Sequence, residues 1–266
     1  MRIALSKGRE QLTSVVQASG DVITVDSAAQ ALDLNRTKAA KTLARWTDQG
    51  WLRRVGHGIY IAATMDTLDK TDVLSDPWIL IPALFSDASY VGGRTAAEHW
   101  DLTEQIFRDI VVFTTRSVRK GQMELQGGVF TPVHVSSRHL FGTTVVWRGQ
   151  TRVKISDIHR TIVDMLAAPE IGGGMQHVND CLRRYLSRKD FNLDAIFDYA
   201  DALDNSVIFK RLGFLTERIP GMEYIAVECL PRVRSGLSPL DPSQTTTRIN
   251  TKWNLRVPKG WRDDGG

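Results

Sequence analysis

The sequence predicts an α+β protein, and three observations along the chain support this fold class. Residues 33–61 change from a helical period of about 100° per residue to short extended stretches around glycines. Residues 89–155 contain short apolar or alternating runs broken by glycine and proline, which is typical of strands. From residue 156 onward apolar residues recur with helical spacing. Strands that cluster first and helices that follow indicate α+β architecture.

The most informative segment is a predicted helix over residues 36–49. Asn35 precedes it as an N-cap, and Gly50 follows where a C′ glycine is expected. The helical period places one set of side chains on a packing face: Ala39, Ala40, Leu43, Trp46 and Thr47. The opposite face carries three long cations and a hydroxyl: Lys38, Lys41, Thr42 and Arg45.

A β-hairpin is predicted directly after this helix. Residues 51–55 and 59–61 are its strands, and the Gly56-His57-Gly58 turn tolerates positive φ. The predicted outward side chains are Arg53, Arg54 and His57.

Two shorter helices are predicted upstream, over residues 5–17 and 25–32, with Asp26 or Ser27 capping the second. The order helix, helix, turn, basic helix and β-wing is that of a winged helix-turn-helix domain. In such domains the second helix of the pair enters the DNA major groove. The sequence therefore predicts an N-terminal winged helix-turn-helix domain, followed by a larger mixed α+β domain.

The distribution of charge favours double-stranded DNA as the ligand of this domain. Residues 1–66 hold nine lysines or arginines and six acidic residues, whereas the remaining 200 hold 25 and 24. Neutralisation of phosphates is the main sequence-independent source of DNA affinity. Base contacts are expected at the helix N-terminus, from Asn35, Arg36, Thr37 and Lys38. Contacts to bases or phosphates are expected from Lys41, Thr42, Arg45, Arg53, Arg54 and His57.

Two alternatives stay open for this surface. A winged helix can serve protein contacts, with its cations merely solvated. Arg45 can also pair with Asp48, three residues further on, which would weaken its role in DNA binding.

Domain boundaries are predicted at residues 1–64 for the winged helix, 65–76 for a polar linker and 77–266 for the larger domain. Within the larger domain, residues 78–85 are a buried helix or strand, and residues 89–91 and 109–115 are strands. Residues 123–155 resemble an antiparallel meander, and residues 252–258 an extended tail that pairs with a sheet. Helices are predicted at residues 158–167, 175–187, 192–203 and 206–215.

The whole sequence indicates a cytoplasmic protein. No apolar run approaches the roughly 18 residues of a membrane span, and the N-terminus lacks a secretory h-region. Cys181 and Cys229 have no zinc-ligand pattern and are expected to be reduced thiols.

No catalytic residue, cofactor or metal is predicted. The glycines at 172–174 lack the lysine of a phosphate loop, and no histidine pair has metal-ligand spacing: His134, His139, His159 and His177. Glu223 and Glu228 with Arg232 imitate a nuclease cluster only by spacing. A basic run is expected to be a solvated helix end, or else a second surface for nucleic acid or an acidic partner: Arg183, Arg184, Arg188 and Lys189.

Several blocks together resemble the AbiEi-family antitoxins of type IV toxin–antitoxin and abortive-infection systems. Besides the winged helix, they are YVGGRTAAEHWDLTEQ at 90–105, SDIHRTIVDMLAAPEIGGG at 156–174 and SPLDPS…KWNLRVP at 238–258. The resemblance implies a transcriptional repressor of its own operon that binds inverted repeats. It also implies that the larger domain counters a nucleotidyltransferase-like toxin. The resemblance does not imply a stable complex between this chain and the toxin.

Two other functions are compatible with the residues themselves. One is a stand-alone winged-helix regulator whose larger domain senses a ligand or a protein. The other is an enzyme acting on nucleic acid, with the winged helix as its targeting module. We expect a metal-dependent DNA cleavage assay to show no activity.

Overall fold

The computed structural model describes residues 7–63, 74–118 and 121–261. Within these ranges the chain forms two compact units, each assembled from segments that are distant in sequence. The first unit is Met1–Ser89, Thr114–His134 and Val145–Lys154, and the second is Tyr90–Phe113, Val135–Thr144 and Ile155–Gly266. The predicted linker falls largely outside the described residues, so the three predicted domain ranges stay a prediction.

The N-terminal segment has the predicted order of helices and wing. Its elements are α1 (Lys7–Ser19), β1 (Ile23–Thr24), α2 (Val25–Ala31), α3 (Arg36–Asp48), β2 (Leu52–Gly56) and β3 (Ile59–Ala62). β3 lies between β1 and β2 and is antiparallel to both, with Tyr60 opposite Ile23 on one side and Arg54 on the other. The short strand β1 was absent from the sequence prediction.

The predicted cap of α2 is wrong. The helix begins at Val25, so its N-cap is Thr24 rather than Asp26 or Ser27. Thr24 Oγ1 accepts a hydrogen bond from the Ser27 amide, and Ser27 Oγ accepts one from the Thr24 amide, both at 3.0 Å. This reciprocal capping box satisfies two amides of the first turn.

The described residues between 74 and 156 begin with helical turns and continue into strands. Its elements are a 3₁₀ helix (Pro77–Leu80), α4 (Ile81–Phe85), β4 (Ser89–Val91), α5 (Gly93–His99), β5 (Asp109–Thr114), β6 (Met123–Leu125), β7 (Gly128–His134), a second 3₁₀ helix (Ser137–His139), β8 (Thr143–Arg148) and β9 (Thr151–Ser156). The ambiguous apolar run at 78–85 is therefore helical, since Pro82 lies in the first turn of α4, where proline is tolerated.

A six-stranded sheet has the order β6-β7-β5-β4-β9-β8. β6 and β7 are antiparallel, whereas β4 and β9 are parallel, with Val91 opposite Ile155. The predicted meander is wrong, because β5 and β4 stand between β7 and β9. Alternating polarity identifies a strand but not its partner, which is a long-range choice.

Helices dominate the rest of the second unit. They are α6 (Ile158–Ala167), a 3₁₀ turn (Pro169–Gly172), α7 (Met175–Leu186), α8 (Leu193–Ala202), α9 (Ser206–Thr216), α10 (Glu223–Cys229) and a further 3₁₀ turn (Leu230–Arg232). The four predicted helices are confirmed; α10 was not predicted. Asp157 caps α6 by accepting from the Arg160 amide at 2.8 Å.

A small sheet forms near the end of the described chain; the predicted extended tail is confirmed for residues 255–258, whereas residues 251–254 form a turn. β12 (Leu255–Pro258) is parallel to β10 (Ser238–Pro239) and antiparallel to β11 (Thr246–Asn250). The buried Trp253 stacks so closely on α9 that a Cβ at Gly213 would stand 2.1 Å from its ring. Trp253 thus anchors this sheet to the largest hydrophobic core of the second unit.

Candidate nucleic-acid interface

Helix α3 has one buried face and one charged, exposed face. Ala39, Leu43 and Trp46 are completely buried and pack in the core of the winged helix. The exposed side chains of the opposite face include the three predicted cations: Lys38, Lys41 and Arg45. The packing face is secured by apolar burial, so the cationic face is available to a ligand.

Local hydrogen bonds define both ends of α3. Asn35 Oδ1 accepts from the Lys38 amide at 2.9 Å, as an N-cap does. At the other end Gly50 has φ +71°, and the Trp51 amide donates to the Trp46 carbonyl at 2.9 Å, which is the Schellman arrangement. The oxygen of Asn35 is therefore engaged within the helix, which leaves its amide nitrogen for the predicted DNA contact.

The cations of α3 differ in their partners. Arg36 forms an ion pair with Asp26 of α2, and both side chains are about 70% exposed. Such exposed pairs contribute about 0–1 kcal/mol, so this one does not prevent Arg36 from binding a phosphate. Within the described ranges no carboxylate pairs with Lys38, Lys41 or Arg45, and the alternative pair of Arg45 with Asp48 is not formed.

The two arginines of the wing differ in solvent exposure. Arg54 is exposed, and its Nε donates to the Gly56 carbonyl at 3.1 Å. Its Nη2 lies 3.4 Å from His57 Nδ1, which places the two outward side chains of the wing side by side. Arg53 is half-buried, so less of its guanidinium faces outward than the alternating pattern predicted.

Helix α3 and the wing line part of a cleft of about 1220 Å³ within the first unit. Arg36, Thr37 and Lys41 contribute from α3, and Arg54 and His57 from the wing. The other lining comes from the α4 region, Arg116 and β6: Pro82, Ala83, Leu84, Ser86, Asp87, Arg116, Met123 and Leu125. Sequence reasoning missed this second lining, because nothing local to residues 82–125 indicates that it faces α3.

Two polar attachments hold the winged helix to the rest of the first unit. Gln126 Nε2 donates to the carbonyl of Val55 in β2 at 3.4 Å. Asp21 accepts from the Gln150 amide at 2.6 Å and from the Thr151 hydroxyl at 3.0 Å. A Cβ at Gly149 would stand 2.7 Å from the Asp21 carboxylate, so this turn requires glycine. Hydrogen bonds thus attach the winged helix to two other segments of the first unit.

The second unit contains the three blocks of the family resemblance, and the second block supplies the buried Arg160. Arg160 forms a buried ion pair with Asp164, with Nε 2.7 Å from Oδ1. The Tyr90 hydroxyl donates to Asp164 at 3.1 Å, and Arg160 also donates to the carbonyl of His139 at 3.2 Å. The pair is therefore a buried anchor and not a surface ion pair.

Burial governs the titration of this network. It raises the pKa of Asp164, and the Arg160 guanidinium and the Tyr90 hydroxyl offset only part of the effect. Burial also raises the pKa of Tyr90, with the Asp164 charge adding to it, so the phenol keeps its proton and remains a donor.

Two further arginines bind carbonyl oxygens in the second unit. Arg211 donates to the carbonyls of Leu166 and Ala167, which are the last residues of α6, and to Pro239, at 2.7–2.9 Å. Arg94 pairs with Asp109 and donates to the carbonyl of Ile171 at 3.2 Å. These arginines satisfy backbone carbonyls at or near the ends of helices and strands, which is a structural role.

The third block also supplies an internal cap. The buried Asp241 accepts from the Met175 amide, the first residue of α7, at 2.9 Å and from the Ser243 hydroxyl at 2.6 Å. Burial alone would raise the pKa of Asp241, but the hydrogen bonds from Met175 and Ser243 outweigh it and lower the pKa. Gly173 and Gly174, which precede α7, have φ near +90° and form a defined turn rather than a phosphate loop.

The basic run at the end of α7 is largely paired. Arg184 binds Glu104 at 2.6 Å and Arg188 binds Asp190 at 2.8 Å. Arg183 is half-buried, and Lys189 is exposed. The pairing lowers the net charge that this surface offers to a nucleic acid.

The remaining candidates show structural contacts. Arg232 lies 3.8 Å from Asp201 and 4.5 Å from the Phe197 ring centroid, and it contacts Glu228 through the backbone carbonyl. His177 bonds to the Gly172 carbonyl and to Thr103. In the part of the chain that the structure covers, no group of three His, Cys, Asp or Glu residues is placed to hold a metal.

Both cysteines are free and buried. Burial raises the pKa of each thiol to about 12, so neither is a reactive thiolate at neutral pH. None of the described helices combines the length and apolar character that crossing a membrane requires.

Comparison with known proteins confirms the family resemblance for the winged helix. Residues 10–63 match the family of transcriptional regulators described as AbiEi antitoxins. This match indicates a DNA-binding regulator. The chain also resembles the crystal structure of the RV2827C protein from Mycobacterium tuberculosis, with a TM-score of 0.57 at 12% sequence identity, over 96% of this chain and 93% of that one. At this identity the likeness is one of fold. No curated protein matches the sequence.

Proposed function

We propose that this chain is a cytoplasmic transcriptional autorepressor and the antitoxin of a type IV toxin–antitoxin system. Its winged helix binds inverted repeats in its own operator, and its C-terminal region counters a nucleotidyltransferase-like toxin. The observation that carries the DNA-binding half is the exposed cationic face of α3, opposite a completely buried apolar face. The antitoxin half rests on the match of residues 10–63 to AbiEi regulators.

The roles within the interface follow from position on α3 and the wing. Residues at the N-terminus of a recognition helix enter the major groove first, so Arg36, Thr37 and Lys38 contact base edges, and the Asn35 amide joins them. Further along the exposed face, Lys41, Thr42 and Arg45 contact bases or phosphates. Phosphates next to the groove are bound by the wing residues: Arg53, Arg54 and His57.

Operator binding is tested by changing Lys38, Lys41 and Arg45 together to alanine. We expect weaker binding to a duplex taken from upstream of the gene, because each base contact contributes roughly 1–3 kcal/mol and each phosphate contact adds about 0.9 to the salt slope. Fluorescence anisotropy at several salt concentrations measures both quantities. Unchanged affinity would exclude this face of α3 as the interface.

A matched control removes the same charge elsewhere, by changing Arg184, Arg188 and Lys189 to alanine. We expect DNA affinity to stay within a factor of about two, since Arg184 and Arg188 already pair with acids. An equal loss in both triple variants would mean that net charge, and not α3, determines binding.

The antitoxin half is tested by co-expression with the product of the neighbouring gene. A nucleotidyltransferase-like neighbour that stops growth alone, and is tolerated beside this chain, supports the proposal. The α3 triple variant should still protect, because protection is assigned to the C-terminal region. A chain that represses its operon but has no such neighbour would instead be a stand-alone regulator.

A further inference from the structure

We infer that Arg116, which lines the same cleft as α3, binds a backbone phosphate of the same duplex that α3 reads. This inference rests on the proposed DNA-binding function and extends its interface beyond the winged helix. The assignment starts from the cleft itself, whose lining includes residues of α3, the wing and the α4 region together with Arg116.

The dimensions of the DNA groove require a strand in such a cleft. The major groove is roughly 12 Å wide, and an α-helix with its side chains is about 10–12 Å across. A helix in the groove therefore has a sugar–phosphate strand along each flank. A protein surface that lines a cleft together with α3 is therefore positioned to contact one of these strands.

The charge of the cleft suits a phosphate strand. Its lining has four long cations, Arg36, Lys41, Arg54 and Arg116, and two carboxylates, Asp26 and Asp87. Asp26 is already paired with Arg36. Arg116 is an exposed side chain with no carboxylate partner among the residues that the structure describes.

Arg116 is also held in place before any ligand arrives. Its Nη1 donates to the carbonyl of Leu84 at 2.9 Å, and its backbone amide donates to Thr114 Oγ1 at 3.1 Å. Its backbone carbonyl lies 3.1 Å from His134 Nδ1. A guanidinium has five N–H donors, so the remaining donors can bind phosphate with little loss of side-chain entropy.

The test compares Arg116→Gln and Arg116→Lys with the unchanged chain. Binding to the upstream duplex and to a scrambled duplex of equal length is measured by anisotropy at several salt concentrations. For Arg116→Gln we expect the salt slope to fall by about 0.9 and affinity for both duplexes to fall by the same factor, since phosphates carry no sequence information. Arg116→Lys should keep the slope, because it keeps the charge.

The matched control is Arg248→Gln, which removes the same charge from an exposed arginine of β11 in the second unit. It should leave the slope unchanged. The inference is overturned if Arg116→Gln keeps the original slope, if it weakens only the upstream duplex, or if Arg116→Lys is as weak as Arg116→Gln. The α3 triple variant remains a separate test of the proposed function. If that variant binds DNA weakly while Arg116→Gln keeps the original affinity and salt slope, the inference about Arg116 is rejected and the proposed function stands.

Discussion

The cations of α3 and two buried arginines of the second unit have opposite roles. In the winged helix, Lys38, Lys41 and Arg45 stand exposed on one face of α3, without carboxylate partners among the described residues. In the second unit, Arg160 and Arg211 are buried; Arg160 donates to the Asp164 carboxylate, and Arg211 donates to the Leu166 carbonyl at the end of α6. A cation whose N–H groups form hydrogen bonds within the protein stabilises the fold. A cation whose N–H groups face solvent is available to an anionic ligand.

The largest effect is expected at the buried pair. Arg160→Ala should lower the free energy of unfolding by about 3–5 kcal/mol, because it leaves Asp164 buried without its counter-charge. Urea denaturation measures the loss. The triple variant Tyr90→Phe, Arg160→Met and Asp164→Leu removes the whole polar network and should recover most of it. A loss below about 1 kcal/mol for Arg160→Ala would contradict the anchoring role.

Within α3 the same contrast separates neighbouring residues. Leu43→Ala should cost about 2–5 kcal/mol of stability, since the side chain is completely buried. Lys41→Ala should change stability by no more than about 0.5 kcal/mol, although it weakens DNA binding. Thermal and urea unfolding of the two variants decide this. Comparable losses of stability would show that the charged face of α3 is also a packing face.

A smaller effect is expected at the start of the recognition helix. Asn35→Ala removes the acceptor of the Lys38 amide and should cost about 1 kcal/mol. Asn35→Ser keeps a capping oxygen and should retain stability, so any loss of DNA affinity in that variant reports a direct contact by the Asn35 amide. If alanine and serine are equally stable, the cap contributes nothing.

The smallest effect is a dependence on pH in the second unit. Because the pKa of Asp241 is lowered in the folded chain, its carboxylate adds stability above the ordinary aspartate pKa of about 3.9. That contribution is lost as the pH falls through the lowered pKa. The stability difference between the chain and Asp241→Asn should therefore shrink on acidification from pH 7 to pH 3, as unfolding curves will show. A difference that grows would reverse the assigned sign.

The order of elements in the winged helix was predictable because its signals are local. A helical period, an N-cap at Asn35, a glycine at position 50 and a Gly-His-Gly turn each act within a few residues. The cap of α2 was misplaced for an equally local reason: several capping residues stand together, and only the backbone shows that Thr24 comes first.

The second unit shows where local signals stop. The strands between residues 123 and 156 were recognised, yet their partners were not, since pairing joins residues far apart in sequence. Arg160 and Asp164 are four residues apart, a spacing that brings side chains together on a helix, but the folded chain is what buries them beside Tyr90.

Residue spacing was enough to predict which face of α3 carries charge, because helical geometry converts spacing into direction without reference to the rest of the chain. Which residues share the cleft with that charge, and which of the other arginines are internal, became evident in the folded molecule. These features depend on residues that are distant in sequence, such as Leu84 and Arg116 or Leu166 and Arg211. Such residues come together through burial of apolar surface and hydrogen bonding of backbone carbonyls.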